Sequence, residues 1–321
     1  MKNNTTKVSV IMLAYNHEPF IEQALNSVLE QETNFPYEIL IGDDSSTDKT
    51  SKIIEEYANR YPEKITALNR PQNLGATRNL FDLITRAQGE YIAYLECDDY
   101  WTDKSKLQKQ FCFLESNPRY IGCTHKISLV DSFGKPYSQS IFWISDKAEY
   151  TIADFGGIVL PGHGNSLMHR NIFREDPHKF ENLITMHPLI ADRSLCLLLA
   201  AHGPIYQIQT IMGCYRKPTY DRKSATTLLY GTNPTKTWDD YVFTKKLEAY
   251  AQCYLPTEVN FEPHKKKLLL DAMCTVLRRP NKQSIRTVLN IIKTENRADY
   301  VASTIILLFK KIYNKLRKGD K

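Results

Sequence analysis

The sequence is marked first by what it lacks. None of its seven cysteines forms a C-x-x-C pair, and their number is odd. A zinc site or a disulfide framework is therefore not indicated, and a reducing compartment is expected. Residues 1–7 are short and polar and lack the apolar stretch of a secretory leader. No apolar run reaches the roughly 18–20 residues that a membrane span needs. The longest candidate lies around residues 305–309, and Lys310-Lys311 stops it. No G-x-G-x-x-G follows the first strand, which disfavours a dinucleotide-binding domain. No G-x-x-x-x-G-K-[ST] occurs, which excludes a P-loop. Repeats and low-complexity tracts are absent.

Charge is not evenly spread. Residues 1–235 hold 24 Lys and Arg against 27 Asp and Glu, while residues 236–321 hold 18 against 9. A mildly acidic body thus precedes a strongly basic C-terminal region, an asymmetry that points to an anionic partner for the tail. At 321 residues the chain allows one large α/β domain plus an appendage, or two ordinary domains.

Apolar periodicity alternates over the first hundred residues. Residues 8–14, VSVIMLA, read as a buried strand. Phe20, Ile21, Ala24, Leu25, Val28 and Leu29 follow at helical spacing, with Pro19 where a helix would begin. Strands are expected over 37–42, 65–68 and 91–95. Helices are expected over 49–60 and from an opening at 73–79 to about 87, the latter ended by Gly89. Strands alternating with helices of this length indicate a doubly wound, mostly parallel sheet. Leu107, Phe111 and Leu114 mark a further helix, and residues 121–130 a strand. Residues 131–150 are polar and Ser-rich, and 161–165 form a loop. A helix follows Asp192, with Asp192 as its cap. Gly203-Pro204 breaks that helix, 205–208 is a short strand, and the chain reads helical from about Trp238. The expected organisation is 1–130 and 131–235 as two halves of one α/β domain, then 236–321 as a basic helical region.

Two strands end in carboxylate pairs, Asp43-Asp44 and Asp98-Asp99, the second preceded by Glu96. Open α/β sheets bind ligands outside the carboxyl ends of their strands. Carboxylates crowded there repel one another unless a cation or a ligand's hydroxyls lie between them. Hard oxygens suit Mg²⁺ or Mn²⁺, ions that usually bridge to a phosphate. A nucleotide sugar supplies matching groups: N–H and O–H donors on its base and ribose, and a diphosphate that needs a cation. The bland alternative is a polar strand end running into a loop.

Several stretches in order over the first 130 residues together resemble the family-2 glycosyltransferases of bacterial surface-polysaccharide type. They are VSVIMLAYN from Val8, GDDSSTDKT from Gly42, Asn73-Leu74-Gly75, GEYIA from Gly89 and ECDDYW from Glu96. The resemblance implies the GT-A fold and inverting transfer from a nucleotide sugar, usually a UDP-sugar, with Mn²⁺ or Mg²⁺. By matching position, Tyr15 and Asp44 would contact the base, with Asp43 in the same donor site. Arg78 would lie near the nucleotide. Asp98 would face the ribose or diphosphate and Asp99 would hold the metal, the division between these two staying open. Asp192 matches the family's general base, its alternative being a plain N-cap; Glu175, Asp176 and Asp221 are rivals. Tyr215-Arg216 resembles a motif that closes over the diphosphate, which puts Arg216 in the donor site. Relatives often carry a His where this chain has Pro218. His163 and His169 are not promoted on spacing, and His17 and His125 are read as loop or satisfied core. Trp101 and Trp143 stack on a sugar or pack internally.

The implied enzyme is a hexosyl- or N-acetylhexosaminyl-transferase acting on a glycan or lipid-linked acceptor, cytoplasmic and peripheral at the inner face of the cell membrane. Residues 301–318 form an amphipathic basic helix suited to an anionic membrane surface, or else docked on the protein. No nucleic-acid partner is expected. A nucleotidyltransferase would want a Gly-rich, Arg/Lys-containing loop where Tyr15-Asn16-His17-Glu18 stands. A nucleic-acid binder would leave the paired carboxylates unexplained.

Overall fold

The structure is a computed structural model that describes residues 6–136, 141–174, 181–217 and 235–319. Glu175, Asp176, Pro218 and Asp221 lie outside the described residues. The chain divides into two compact units. One is Met1–Phe155 with Val159–Asp221; the other is Gly156–Ile158 with Arg222–Lys321. No helix among the described residues is long and apolar enough to cross a membrane.

The first unit is built on a mixed sheet. Strands β1 (Val8–Ala14), β2 (Tyr37–Asp43), β3 (Ile65–Asn69) and β4 (Tyr91–Glu96) run parallel in the order β3-β2-β1-β4. Helices α1 (Ile21–Leu29), α2 (Thr50–Arg60) and α3 (Ala76–Arg86) connect them. Both faces of such a sheet are covered, which is why β1 is apolar almost throughout. Val10, Met12, Ile39, Ile41, Ala93 and Leu95 bury together with Ile21, Leu25 and Val28 of α1. Each large aliphatic side chain fully buried in this way contributes about 1.5–3 kcal/mol.

Beyond β4 come β5 (Tyr100–Trp101), α4 (Lys106–Ser116), β6 (Gly122–Val130), β7 (Glu149–Tyr150) and α5 (Ile152–Phe155). Strand β8 (Met168–Arg170), α6 (Glu181–Ile184), α7 (Asp192–His202) and β9 (Ile205–Arg216) complete the unit. Strand β8 inserts antiparallel between β4 and β6, β6 pairs parallel with β9, and β5 and β7 pair antiparallel with β9.

Several sequence expectations are corrected. The short strand expected at 205–208 is a twelve-residue strand that carries Tyr215 and Arg216; its polar middle hid it. Strands β5 and β8, two and three residues long, are too short to show a period. Gly89 does not end α3, whose chain leaves at an extended Ala87. Gly89 is required by close approach instead, since a Cβ there would lie 2.5 Å from the Ser9 amide nitrogen. Asp192 is not the cap of its helix. Ala191 holds that position with no side-chain cap bond, and Asp192 is the first helical residue.

The second unit contains α8 (Lys236–Tyr254), α9 (Glu262–Arg278), α10 (Lys282–Glu295) and α11 (Ala298–Gly319). Tyr241, Leu268, Leu269, Ala272, Ile291 and Tyr300 form its core. Lys265 is buried there between Glu248 at 2.7 Å and Glu295 at 3.3 Å, so its charge is matched.

Candidate active site

The parallel register fixes which residues meet. Ala14 lies opposite Asp43 across β1–β2, and Leu13 opposite Glu96 across β1–β4. The Asp44 amide then donates to the Ala14 carbonyl, and the Cys97 amide to that of Leu13, both at 2.9 Å. The two acidic turns therefore leave the same sheet edge on either side of β1.

Each turn is held differently. Asp43 accepts from the hydroxyls of Ser46 and Ser51, which folds the turn after β2 back on itself. Ser45 takes a left-handed conformation at its apex (φ 65°). Asp44 accepts from the amides of Leu74 at 2.6 Å and Gly75 at 3.0 Å. Gly75 sits at φ 83°, where a side chain is disfavoured. This explains why Asn73-Leu74-Gly75 and Asp43-Asp44 occur in one chain: together they form one hydrogen-bonded unit. Asn16, also left-handed, ties the β1 exit to the same turn by accepting from the Thr47 amide at 2.7 Å. Tyr15, beside it, is exposed, as is Arg78 on the first turns of α3.

The β4 turn carries Glu96, Asp98 and Asp99, whose nearest oxygens all lie within 4.8 Å of one another. Both oxygens of Asp99 are held by the protein, and one of them still counts among the three that could ligate an ion. Its Oδ1 accepts from the Arg216 amide at 2.8 Å and its Oδ2 from Asn165 Nδ2 at 2.9 Å. Burial, then the charges of Asp98 and Glu96, push the Asp99 carboxyl up despite those bonds. Asp98 is different: its Oδ1 is buried with no partner among the described residues, and its Oδ2 lies 3.9 Å from His17 Nε2. Glu96 is pushed up to about 8 by desolvation, then by the charges of Asp98 and Asp192. Three mutually repelling carboxylates, one with an orphaned buried oxygen, match the donor set of a hard divalent cation. Glu96, Asp98 and Asp99 each offer one oxygen to such an ion.

Asp192 joins this cleft from the start of α7. Its Oδ1 accepts from the adjacent Arg193 amide at 2.7 Å. Desolvation raises its carboxyl, only partly offset by Arg193. Glu96 and Asp192 both reach solvent yet are strongly desolvated, as groups lining a cleft are. Tyr215 closes the group: desolvation, then the charges of Asp99, Glu96, Asp98 and Asp192, raise its phenol.

Arg216 is 5 % exposed. Its Nε donates to the Asp98 carbonyl and its Nη2 to Gln23 Oε1, at 2.8 and 2.7 Å. The guanidinium also lies 4.4 Å from the centre of the Phe20 ring. This donor-site candidate therefore braces the carboxylate turn.

Two histidines read from sequence as loop residues belong to the site. His17 faces Asp98, and His163 stacks on Tyr215 at 4.0 Å. His163 Nδ1 accepts from the Asn165 amide, and burial pulls the ring down to about 4. It is neutral at physiological pH, so its 3.7 Å approach to Asp99 is not an ion pair. Asn165 was missed as well; its loop, PGHGN, was the only signal. Trp101 packs internally, donating from Nε1 to the Asn165 carbonyl at 2.9 Å.

An uncharacterised Mycobacterium tuberculosis protein is 41% identical over 132 residues, 41% of this chain and 38% of that one. The putative teichuronic acid biosynthesis glycosyltransferase TuaG of Bacillus subtilis is 40% identical over 114 residues, 36% of this chain and 44% of that one. The matches thus span less than half of either relative. Among solved structures, residues 1–349 of Staphylococcus aureus TarS in complex with UDP-GlcNAc superpose with a TM-score of 0.54 at 16% identity, covering 91% of this chain and 92% of that one. At that identity the likeness establishes the GT-A fold. The model of "Glycosyl transferase family 2" matches residues 9–176, more than half of the sequence, and the chain belongs to that family.

Proposed function

We propose that this protein is an inverting glycosyltransferase that moves a sugar from a nucleotide-diphosphate sugar, a UDP-sugar, to a hydroxyl of a glycan or lipid-linked acceptor. The observation that carries the reading is the influence of Asp192 on Glu96. That influence supports a base from α7 acting beside metal ligands from β4.

Asp192 takes the acceptor hydroxyl's proton as that oxygen bonds to the anomeric carbon. The bond from that carbon to the diphosphate breaks on the opposite face, and its electron pair leaves with the nucleoside diphosphate. A carboxylate raised by burial is a stronger base than a solvated one, which suits this role. Asp98 and Glu96 would hold Mn²⁺ or Mg²⁺, with Asp99 orienting the turn. Such an ion, when bound, offsets the charge growing on the leaving diphosphate. Asp44 and Tyr15 border the space for the base, Asp43 shapes that turn, and Arg78 stands at its rim. The UDP-GlcNAc in the TarS structure supports a UDP-sugar donor, and relatives named for teichuronic acid and poly(ribitol phosphate) support a surface-polymer acceptor. The protein would work at the inner face of the cell membrane.

A thermal-shift screen of nucleotide sugars with and without Mn²⁺ tests the reading, because stabilisation follows occupancy. Stabilisation by one UDP-sugar in the presence of the metal is expected. No response to any nucleotide sugar with either Mn²⁺ or Mg²⁺ would overturn it.

A further inference from the structure

The last two helices of the helical unit put Ile291 and Tyr300 into its core yet leave other large apolar side chains in solvent. Helix α10 buries Ser284 and Thr287 while Ile285 and Leu289 stand 44% and 59% exposed. Helix α11 buries Thr304, and Ile306 and Phe309 stand 55% and 65% exposed. The inward hydroxyls are satisfied within their own helices: Thr304 donates to the Tyr300 carbonyl and Ser284 to that of Asn281. A helix that only covers its own core turns the larger apolar side chains inward.

Of these, Ile285 and Leu289 lie on the first two turns of α10, close to its hairpin with α9. The α9–α10 hairpin turns tightly at Pro280, with Asn281 and Ser284 forming a capping box. That sets exposed Leu277, Arg278 and Arg279 beside the first turns of α10. Lys311 reaches Asp271 at 3.4 Å, which lays the second half of α11 along the C-terminal half of α9. At this end Arg278, Arg279, Lys282, Arg286 and Lys310 are exposed, and none forms an ion pair among the described residues. At the other end charges cancel locally, as in Lys265 with Glu248 and Glu295 and Arg297 with Glu262.

We infer that this end of the helical unit is a docking surface for an anionic phospholipid membrane. The chemistry selects that occupant. A lipid interface takes both halves of the surface at once, headgroup phosphates against Arg278, Arg279, Lys282 and Arg286 and the acyl boundary against Leu277, Ile285 and Leu289. A second copy of the chain would bring the same cations face to face. A nucleic acid would match the charge and leave the large apolar side chains in water. The surface includes the end of α9 and the start of α10, well outside the 301–318 segment that the sequence singled out.

The test is co-sedimentation of the full chain with phosphatidylcholine vesicles, with and without phosphatidylglycerol, at low and high salt. Two variants accompany it. One carries Arg278→Gln, Arg279→Gln, Lys282→Gln and Arg286→Gln; the other carries Leu277→Ser and Leu289→Ser. All six positions are exposed, so both variants should fold, and unchanged UDP affinity by calorimetry checks that separately from the transferase reading. Wild type should bind phosphatidylglycerol vesicles at least about tenfold more tightly at low salt than at high salt, since exposed charges are screened within a Debye length. Each variant should lose about tenfold or more in partition. No binding at low salt overturns the inference. So does equal binding by wild type and both variants, a wild-type dimer that the Ser variant abolishes in the absence of vesicles, or an RNA gel shift insensitive to the Ser substitutions.

Discussion

Arg216 and Asp99, 117 positions apart, are joined by a 2.8 Å bond from the Arg216 amide to Asp99 Oδ1. The same arginine donates through Nε to the Asp98 carbonyl. The last residue of β9 thus grips both aspartates of the β4 turn, and the acid cluster is a property of two strands.

Arg216→Lys keeps the charge but cannot reproduce this fork. We expect a loss of about 1–3 kcal/mol in stability, the cost of buried carbonyls left without donors, with weaker metal-dependent UDP binding as the turn loosens. Chemical denaturation and calorimetry report the two effects. An unchanged unfolding midpoint together with lost UDP affinity would instead make Arg216 a direct ligand of the diphosphate.

Asp98 and Asp99 should separate by mutation. Asp98→Asn alters a carboxylate whose Oδ1 has no partner among the described residues, and metal-dependent UDP affinity should fall by on the order of 10–100-fold with the fold intact. Asp99→Asn must point an amide N–H₂ at either Asn165 Nδ2 or the Arg216 amide, both donors. It should lower stability by about 1–3 kcal/mol. Equal behaviour of the two variants in thermal melts and UDP titrations would refute the division of roles.

Asp192→Asn is isosteric, and Ala191 rather than Asp192 occupies the cap, so helix α7 should be unaffected. Transfer should drop by on the order of 10²–10⁴-fold while donor affinity stays near wild type. The base acts ionised and its carboxyl is raised, so wild-type transfer should fall as pH drops through that raised value, and the Asn variant should lose this acidic limb. Wild-type turnover in the variant would shift the role to Glu175, Asp176 or Asp221.

Lys106 is buried with its ammonium 3.8 Å from the centre of the Trp101 ring and no hydrogen-bond partner among the described residues. Desolvation pulls it down to about 7 from 10.5. Between those values the unfolded chain binds a proton that the folded chain does not, so this residue makes stability rise with pH across the window. Below about 7 both states are charged and the full burial cost stands. Lys106→Met should therefore be more stable than wild type at pH 6, by on the order of a few kcal/mol, with the gap closing toward pH 10. Urea unfolding across that range measures it; a gap independent of pH would show that the ammonium is solvated.

The sequence by itself determined the alternating strands and helices, the acidic strand ends and the family. Those features are local: period-two and period-3.6 apolar patterns report burial wherever an element is long enough to repeat, and GDDSSTDKT and ECDDYW are short contiguous segments. Tertiary structure alone decided which of the acids are free. Asp99 and Asp98 are neighbours with the same side chain, yet only the Asp99 carboxylate meets Arg216 and Asn165, from strand β9 and from the loop before β8. His17, His163 and Asn165 carry no periodic or spacing signal because their partners lie 49 to 81 positions away. The exposed Ile285 and Leu289 of α10 were invisible for a related reason. Amphipathic spacing gives a helix an apolar face, but only packing against α9 decides whether that face is turned toward the core or toward the surroundings.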